Sequence, residues 1–139
     1  MISKADVIRM KVPYPSVSGR LALNSHMYIC KTVSGPLREF VKCQTLKPYM
    51  LINDVIRHYC DEQPNINRNP FKKATRIDCD KLFITDSVKY DLKLRTDSRP
   101  DICEELYDEV IKELKEDGYN RIKINENELL KLNSLITKL

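Results

Sequence analysis

The chain has 139 residues, 42% hydrophobic and 32% charged, a balance that suits one globular domain and excludes both a membrane protein built from helices and a disordered chain. Its 24 Lys and Arg against 20 Asp and Glu leave a formal charge of +4. That excess permits a polyanionic partner without demanding one, because nucleic-acid binding needs clustered charge rather than a total.

No run approaches the roughly 18 apolar residues of a membrane helix, and the opening MISKADVIRM lacks the apolar core of a signal peptide. A cytoplasmic protein with no membrane partner is expected. Five cysteines, at positions 30, 43, 60, 79 and 103, are odd in number and widely spaced, with no Cys-x-x-Cys pair and only two histidines. Neither a zinc site nor a disulfide framework is expected, and no cofactor is implied. Cys30, Cys43 and Cys103 sit among apolar neighbours and read as small core residues.

In chain order, Ala5 to Val12 alternates apolar Val7, Ile8, Met10 and Val12 with polar Asp6, Arg9 and Lys11, which predicts a half-buried first strand. Pro13 and Pro15 end it, since proline donates nothing to a ladder. Ser16 to Asn24 follows as a loop pivoting on Gly19. His26 to Thr32 predicts a second strand, Ser34-Gly35-Pro36 a turn, and Arg38 to Leu46 a third strand closing a hairpin.

Tyr49 to Tyr59 places Leu51, Ile52, Val55, Ile56 and Tyr59 at helical spacing within a short segment, leaving a short helix and a strand with an insertion both open. Cys60 to Pro70 is rich in Pro, Asn and charge and predicts a loop of the length used for binding or as a lid. Ala74 to Thr85 predicts a fourth strand region bent near Asp80, and Val88 to Leu94 a further strand.

Ser98 to Asp117 predicts a helix. Ser98 and Asp101 resemble a capping box, and Ile102, Leu106, Val110, Ile111 and Leu114 form one apolar stripe that ends before Gly118. Glu104, Glu105, Asp108 and Glu109 then form its solvated face. A last helix is expected to start at Asn125, with Glu128 as box partner and Leu129, Leu132, Leu135 and Ile136 for docking on the domain or on a second subunit. The expected architecture is α+β and mainly β. It places a small SH3-like antiparallel barrel with a packed helix over residues 1–118, an insertion around 49–70, and a helical tail over 119–139. Such an order of elements is shared by many small barrels and names no function.

Three segments narrow it. ADVIRMKVPYPSVSGRLALNSHMYICK (5–31) resembles the opening of the PemK/MazF family of toxin ribonucleases, where a strand G-D-[IV]-x-x-[VA] leads through a proline turn and a glycine loop into R-P-[AV]-[LV]-[IV]-[LI]. REFVKCQTLKP (38–48) is similar to the family's next strand with its terminal Thr-Ser, and ATRIDCDKLFIT (74–85) to its V-R-x-D strand. CEELYDEVIKEL (103–114) stands where its closing helix would be. The match runs from about residue 5 to 115, with 49–70 unmatched.

Residue by residue, Arg20 follows Gly19 where one branch of the family has histidine, His26 stands in place of the arginine of the Arg-Pro pair, and Met27 replaces the proline. Thr45 matches the threonine ending the third strand, with Leu46 in place of serine, and Arg76 and Asp78 match Arg-x-Asp. The resemblance implies metal-free cleavage of single-stranded RNA, in which the ribose 2′-hydroxyl attacks the adjacent phosphate to leave a 2′,3′-cyclic phosphate and a 5′-hydroxyl. It also implies a homodimer and an antitoxin partner with an acidic, partly disordered segment.

That reaction needs a base, an acid and a cation. Arg76 and Arg20 suit the phosphate, Asp78 a proton acceptor, His26 an acid or base, and Thr45 a phosphate oxygen. Lys47, Arg68, Phe71, Lys72 and Lys73 suit a phosphate-tracking strip with one stacking ring. Simpler readings stand beside these: Arg76 and Asp78 share a strand face and suit an exposed ion pair worth under about 1 kcal/mol, and a histidine opening a strand suits a surface position. A catalytically silent relative that binds RNA or a protein is the rival function. A gyrase-poisoning relative is disfavoured by the absence of tryptophan.

Overall fold

A hairpin organises the chain. In the computed structural model, which describes residues 1–53, 56–116 and 118–139, β2 (His26–Ser34) and β3 (Leu37–Thr45) run antiparallel with Met27 opposite Cys43 and Ser34 opposite Leu37. Gly35 turns the chain at φ +56°, a left-handed backbone that costs glycine nothing because it has no Cβ. β1 (Val7–Met10) pairs with the outer side of β2, Met10 opposite His26.

The two halves of β3 take different partners. Cys43 to Thr45 pair with β5 (Thr75–Asp78), while Arg38 to Phe40 pair with β6 (Lys81–Thr85). The single bent strand expected over 74–85 is therefore two strands, parted where the Asp80 amide donates to Asp78 Oδ1 at 2.9 Å. β4 (Tyr59–Glu62) edges β5, so Cys60 to Glu62 is a strand where a loop was expected. Its reason is the cross-strand pairing of Asp61 with Arg76, which overrides the poor strand propensity of an acidic segment.

Across the fork, β8 (Asn120–Lys123) pairs in parallel with β6, and β7 (Val88–Tyr90) with β9 (Ile136–Lys138) forms a separate two-stranded sheet. The fold is thus mainly β with an antiparallel sheet and a few helices, and the forked sheet does not close into a barrel.

Strand alternation sends neighbours to opposite faces. Ile8, Tyr28, Phe40 and Phe83 enter one apolar cluster, while Val7, Ile29, Val41 and Leu82 enter the other. Helix α3 (Glu104–Glu116) covers the second with Leu106, Val110 and Leu114, each at most 1% exposed and each contributing about 1.5–3 kcal/mol. Ile102 is buried with them from just before the helix, and Ile111 packs against their edge.

α3 starts later than the capping-box pattern suggests. Residues 100–102 are held by β1 instead, the Val7 amide donating to Pro100 O and the Ile102 amide to Ala5 O, while the Ser98 hydroxyl donates to Pro70 O. Asp117 lies outside the described residues. The first cluster is covered by the chain's last segment: α4 (Glu126–Leu132), capped as expected by the Asn125 side chain accepting from the Glu128 amide at 3.2 Å, buries Leu129, and β9 buries Ile136. The tail expected to be helical over 119–139 is helical only in α4, with β8 before it and β9, which takes Ile136, after it, and it is woven into the domain's own core because β6 and β7 offer those strands partners.

Two one-turn helices lie near one end, α1 (Arg20–Leu23) inside the expected 16–24 loop and α2 (Met50–Asn53). Val55, part of the expected helical spacing, lies outside the described residues. All five cysteines are free thiols, with Cys30 and Cys43 buried and Cys103 only partly so. Among the described residues no helix is long and apolar enough to cross a membrane.

Candidate nucleic-acid interface

The first residue of β2 and the last residues of β3 meet at the open end of the hairpin, and the 13–25 loop folds back over them. The Val12 amide donates to Leu21 O at 2.7 Å, and Tyr14 packs edge-on to Phe83 with ring centroids 5.5 Å apart. Gly19 sits closely where this loop crosses itself: a Cβ there would lie 3.3 Å from Pro15 Cδ and 3.4 Å from the Tyr14 and Ser16 carbonyl oxygens, so a side chain would require those neighbours to shift by a few tenths of an ångström.

Two cavities flank that end. The larger, about 680 Å³, lies between the loop and the 47–50 turn and is walled by Tyr14, Arg20, Lys42, Lys47 and Tyr49. The smaller, about 240 Å³, opens on the opposite face beside Arg9, Phe71, Lys72 and Lys73. Ser25, His26, Gln44 and Thr45 form the ridge between them and line both. Among the described residues no Asp or Glu lines either one. A cavity of about 820 Å³ elsewhere, beside Pro36, Val88, Tyr90 and Leu92, is mostly apolar, carries Arg38, Lys89 and Asp91, and contains none of the expected site residues.

His26 is half-buried on the ridge. Its Nδ1 lies 2.9 Å from Asn24 O, and because a carbonyl only accepts, Nδ1 carries the hydrogen and the neutral ring leaves Nε2 with its lone pair. Burial pushes the pKa below the usual 6.5; the Asn24 hydrogen bond opposes this, while Lys42, Arg20 and Arg9 add to it by repulsion. The ring is therefore neutral at pH 7, an imidazole base among cations.

Arg76 and Asp78 line neither cavity. Arg76 is 1% exposed: its Nε and Nη2 donate to Asp61 Oδ1 and Oδ2, both at 2.7 Å, its Nη1 donates to Met50 O at 3.1 Å, and the guanidinium lies 3.6 Å over the Tyr59 ring. It holds a wall rather than a phosphate, because the Met50 carbonyl anchors the 47–50 turn, whose Met50 sulfur also receives the Lys47 amide at 3.4 Å. The exposed, weak pair considered from sequence is excluded by this burial.

Asp78, fully buried, lies 3.4 Å from Lys42 Nζ and 3.3 Å from Lys81 Nζ. It cannot meet a ribose, but it positions Lys42 in the cavity wall. Arg68 also moves off the expected strip, donating to Glu62 at 3.0 and 3.3 Å and to Glu109 at 2.9 Å, which ties the 63–70 loop to β4 and α3. Phe71, 5% exposed, packs in the second core cluster and gives the smaller cavity little of its ring.

Arg20, His26, Thr45, Lys47, Lys72 and Lys73 do come together. Arg9, Lys42, Gln44, Tyr14 and Tyr49 join them unforeseen. Period-two reading of QTL and VKCQ places Lys42 and Gln44 on one strand face, so those two were legible; the tyrosines arrive on loops and left no periodic signal. Among the described residues no cluster of three His, Cys, Asp or Glu side chains is placed to hold a metal ion. No family model, curated protein or solved structure matches the chain.

Two outcomes follow from this geometry. Arg76→Ala empties a buried clamp whose partner Asp61 keeps some solvent, and is expected to cost about 2–4 kcal/mol by urea denaturation; an unchanged midpoint would remove the clamp from the account. The His26 imidazole is expected to titrate below 6.5 by NMR. Since the unfolded chain then binds the proton more readily, this residue's contribution to stability is present above about pH 6.5 and is lost on acidification.

Proposed function

We propose that the protein is a metal-independent endoribonuclease that receives single-stranded RNA across the ridge between the two cavities, with His26 as its base. The observation that carries this reading is the convergence of Arg20, Lys42 and Lys47 on a neutral histidine whose Nδ1 is tied to Asn24 O, which leaves the lone pair on Nε2. His26 Nε2 takes the 2′-hydroxyl proton, the 2′-oxygen attacks the adjacent phosphorus, and the bond to the 5′-oxygen breaks. A water admitted by the open cavity protonates the leaving 5′-oxygen, and the hydroxide it leaves takes the proton back from His26 Nε2, so that the products are a 5′-hydroxyl and a 2′,3′-cyclic phosphate and the base is neutral again. Arg20, Lys42 and Lys47 on the larger cavity offset the charge developing on the phosphate, and the Thr45 hydroxyl donates to one of its oxygens.

On this reading the arginine replaced at position 26 is made up by a base in its place and by cations from neighbouring elements. The forked sheet is a divergent form of the SH3-like barrel of PemK/MazF proteins. The chain works in the cytoplasm as a homodimer, and an acidic antitoxin segment is its natural inhibitor, since such a segment would compete with RNA for the same cations. The rival, a silent relative that only binds RNA or a protein, is favoured by one observation: Arg76 and Asp78 are committed to internal pairs, so neither faces the phosphate.

The experiment is incubation with a long single-stranded RNA in EDTA, reading fragment ends, with His26→Ala in parallel. Cuts bearing 2′,3′-cyclic phosphate that fall at least about 100-fold in the variant are expected. Bound but intact RNA would overturn the enzyme in favour of the silent binder.

A further inference from the structure

Resting on the RNA reading above, we infer that the two cavities are unequal subsites of one track. The larger recognises a single nucleobase on one side of His26, and the smaller takes backbone phosphate alone on the other. Size separates them first. About 680 Å³ lies within the range of sites that enclose small organic ligands, and about 240 Å³ lies below it.

Chemistry separates them in the same direction. The larger cavity carries two tyrosine rings, and Tyr49, 53% exposed, stands on the turn that Arg76 anchors through the Met50 carbonyl. A ring so placed gives a base a face to stack on, and stacking tolerates any base while hydrogen bonds select one. Gln44 on the ridge supplies the selecting group: among the described residues its amide nitrogen makes a single 3.7 Å contact, to Met50 sulfur, which a base edge can replace.

The smaller cavity has no comparable ring, since Phe71 is consumed by the core, and what it presents is the charge of Arg9, Lys72 and Lys73. Such a surface holds phosphates without reading sequence. His26 sits on the boundary, so the bond to be cut lies next to the recognised base.

The test is fluorescence anisotropy with an eight-nucleotide single-stranded RNA, 2′-O-methylated throughout so that it cannot be cut, in which one abasic residue is moved along the strand, using wild type, Tyr49→Ala and Lys72→Ala/Lys73→Ala. All three substitutions are at exposed positions. In wild type, one abasic position is expected to weaken binding about tenfold, and neighbours on one side of it hardly at all. Tyr49→Ala is expected to abolish that penalty. The double lysine variant is expected to keep the penalty and to lower the slope of log affinity against log salt by about 1.4.

Binding by wild type with the abasic penalty intact in Tyr49→Ala, or with equal penalties on both sides, would overturn the unequal subsites while leaving RNA binding in place. Absence of any binding by wild type would overturn the RNA reading itself.

Discussion

The buried guanidinium of Arg76 is the constraint on which the open end of this molecule depends. A charge taken out of water must be matched by partners of good geometry, and here one flat fork meets the Asp61 carboxylate in the plane, the Met50 carbonyl at one edge and the Tyr59 ring above. These partners come from β4 and the 47–50 turn, while the arginine comes from β5. One side chain therefore fixes the edge strand to the sheet and sets where the cavity wall stands. Lysine, a point charge without the planar fork, could not reproduce that arrangement.

A second consequence concerns where charge is left over. Carboxylates near the sheet are drawn into internal pairs: Asp61 with Arg76, Asp78 with Lys42 and Lys81, Glu62 and Glu109 with Arg68, Glu39 with Lys31 and Arg121. Among the described residues, the charged side chains that line the two cavities are cations, Lys42 among them although Asp78 holds it from behind. The same field, together with burial, keeps His26 neutral, and its Asn24 hydrogen bond decides which nitrogen holds the lone pair. Positive potential that attracts a phosphate and a base that stays unprotonated beside it thus have a common origin.

Much of the scaffold was legible from alternation. Val7 with Ile8, Tyr28 with Ile29 and Phe40 with Val41 divide between two clusters as period two requires, and the stripe through Leu106, Val110 and Leu114 marks α3. β8 and β9 were not legible, because NRIK and ITK carry one buried or half-buried apolar residue each and owe their strand state to β6 and β7. Of the candidate site, the loop and strand-end residues Arg20, His26, Thr45 and Lys47 were found from a resemblance and from their chemistry. Arg76, Asp78 and Arg68 were drawn into the same site because a sequence lists charges without their partners. Asp61, which lies 15 residues from Arg76 along the chain, is what reassigns it.

The most direct test of a cationic ridge centred on His26 is a side-chain and amide NMR map recorded while a short single-stranded RNA, 2′-O-methylated to prevent cleavage, is added at moderate salt. Shifts concentrated at His26, Gln44, Thr45, Lys47 and Lys72, with α3 and the apolar cavity beside Val88 and Leu92 unmoved, are the predicted result. Shifts centred on that apolar cavity or on the outer face of α3, with the His26 ring unchanged, would contradict the account.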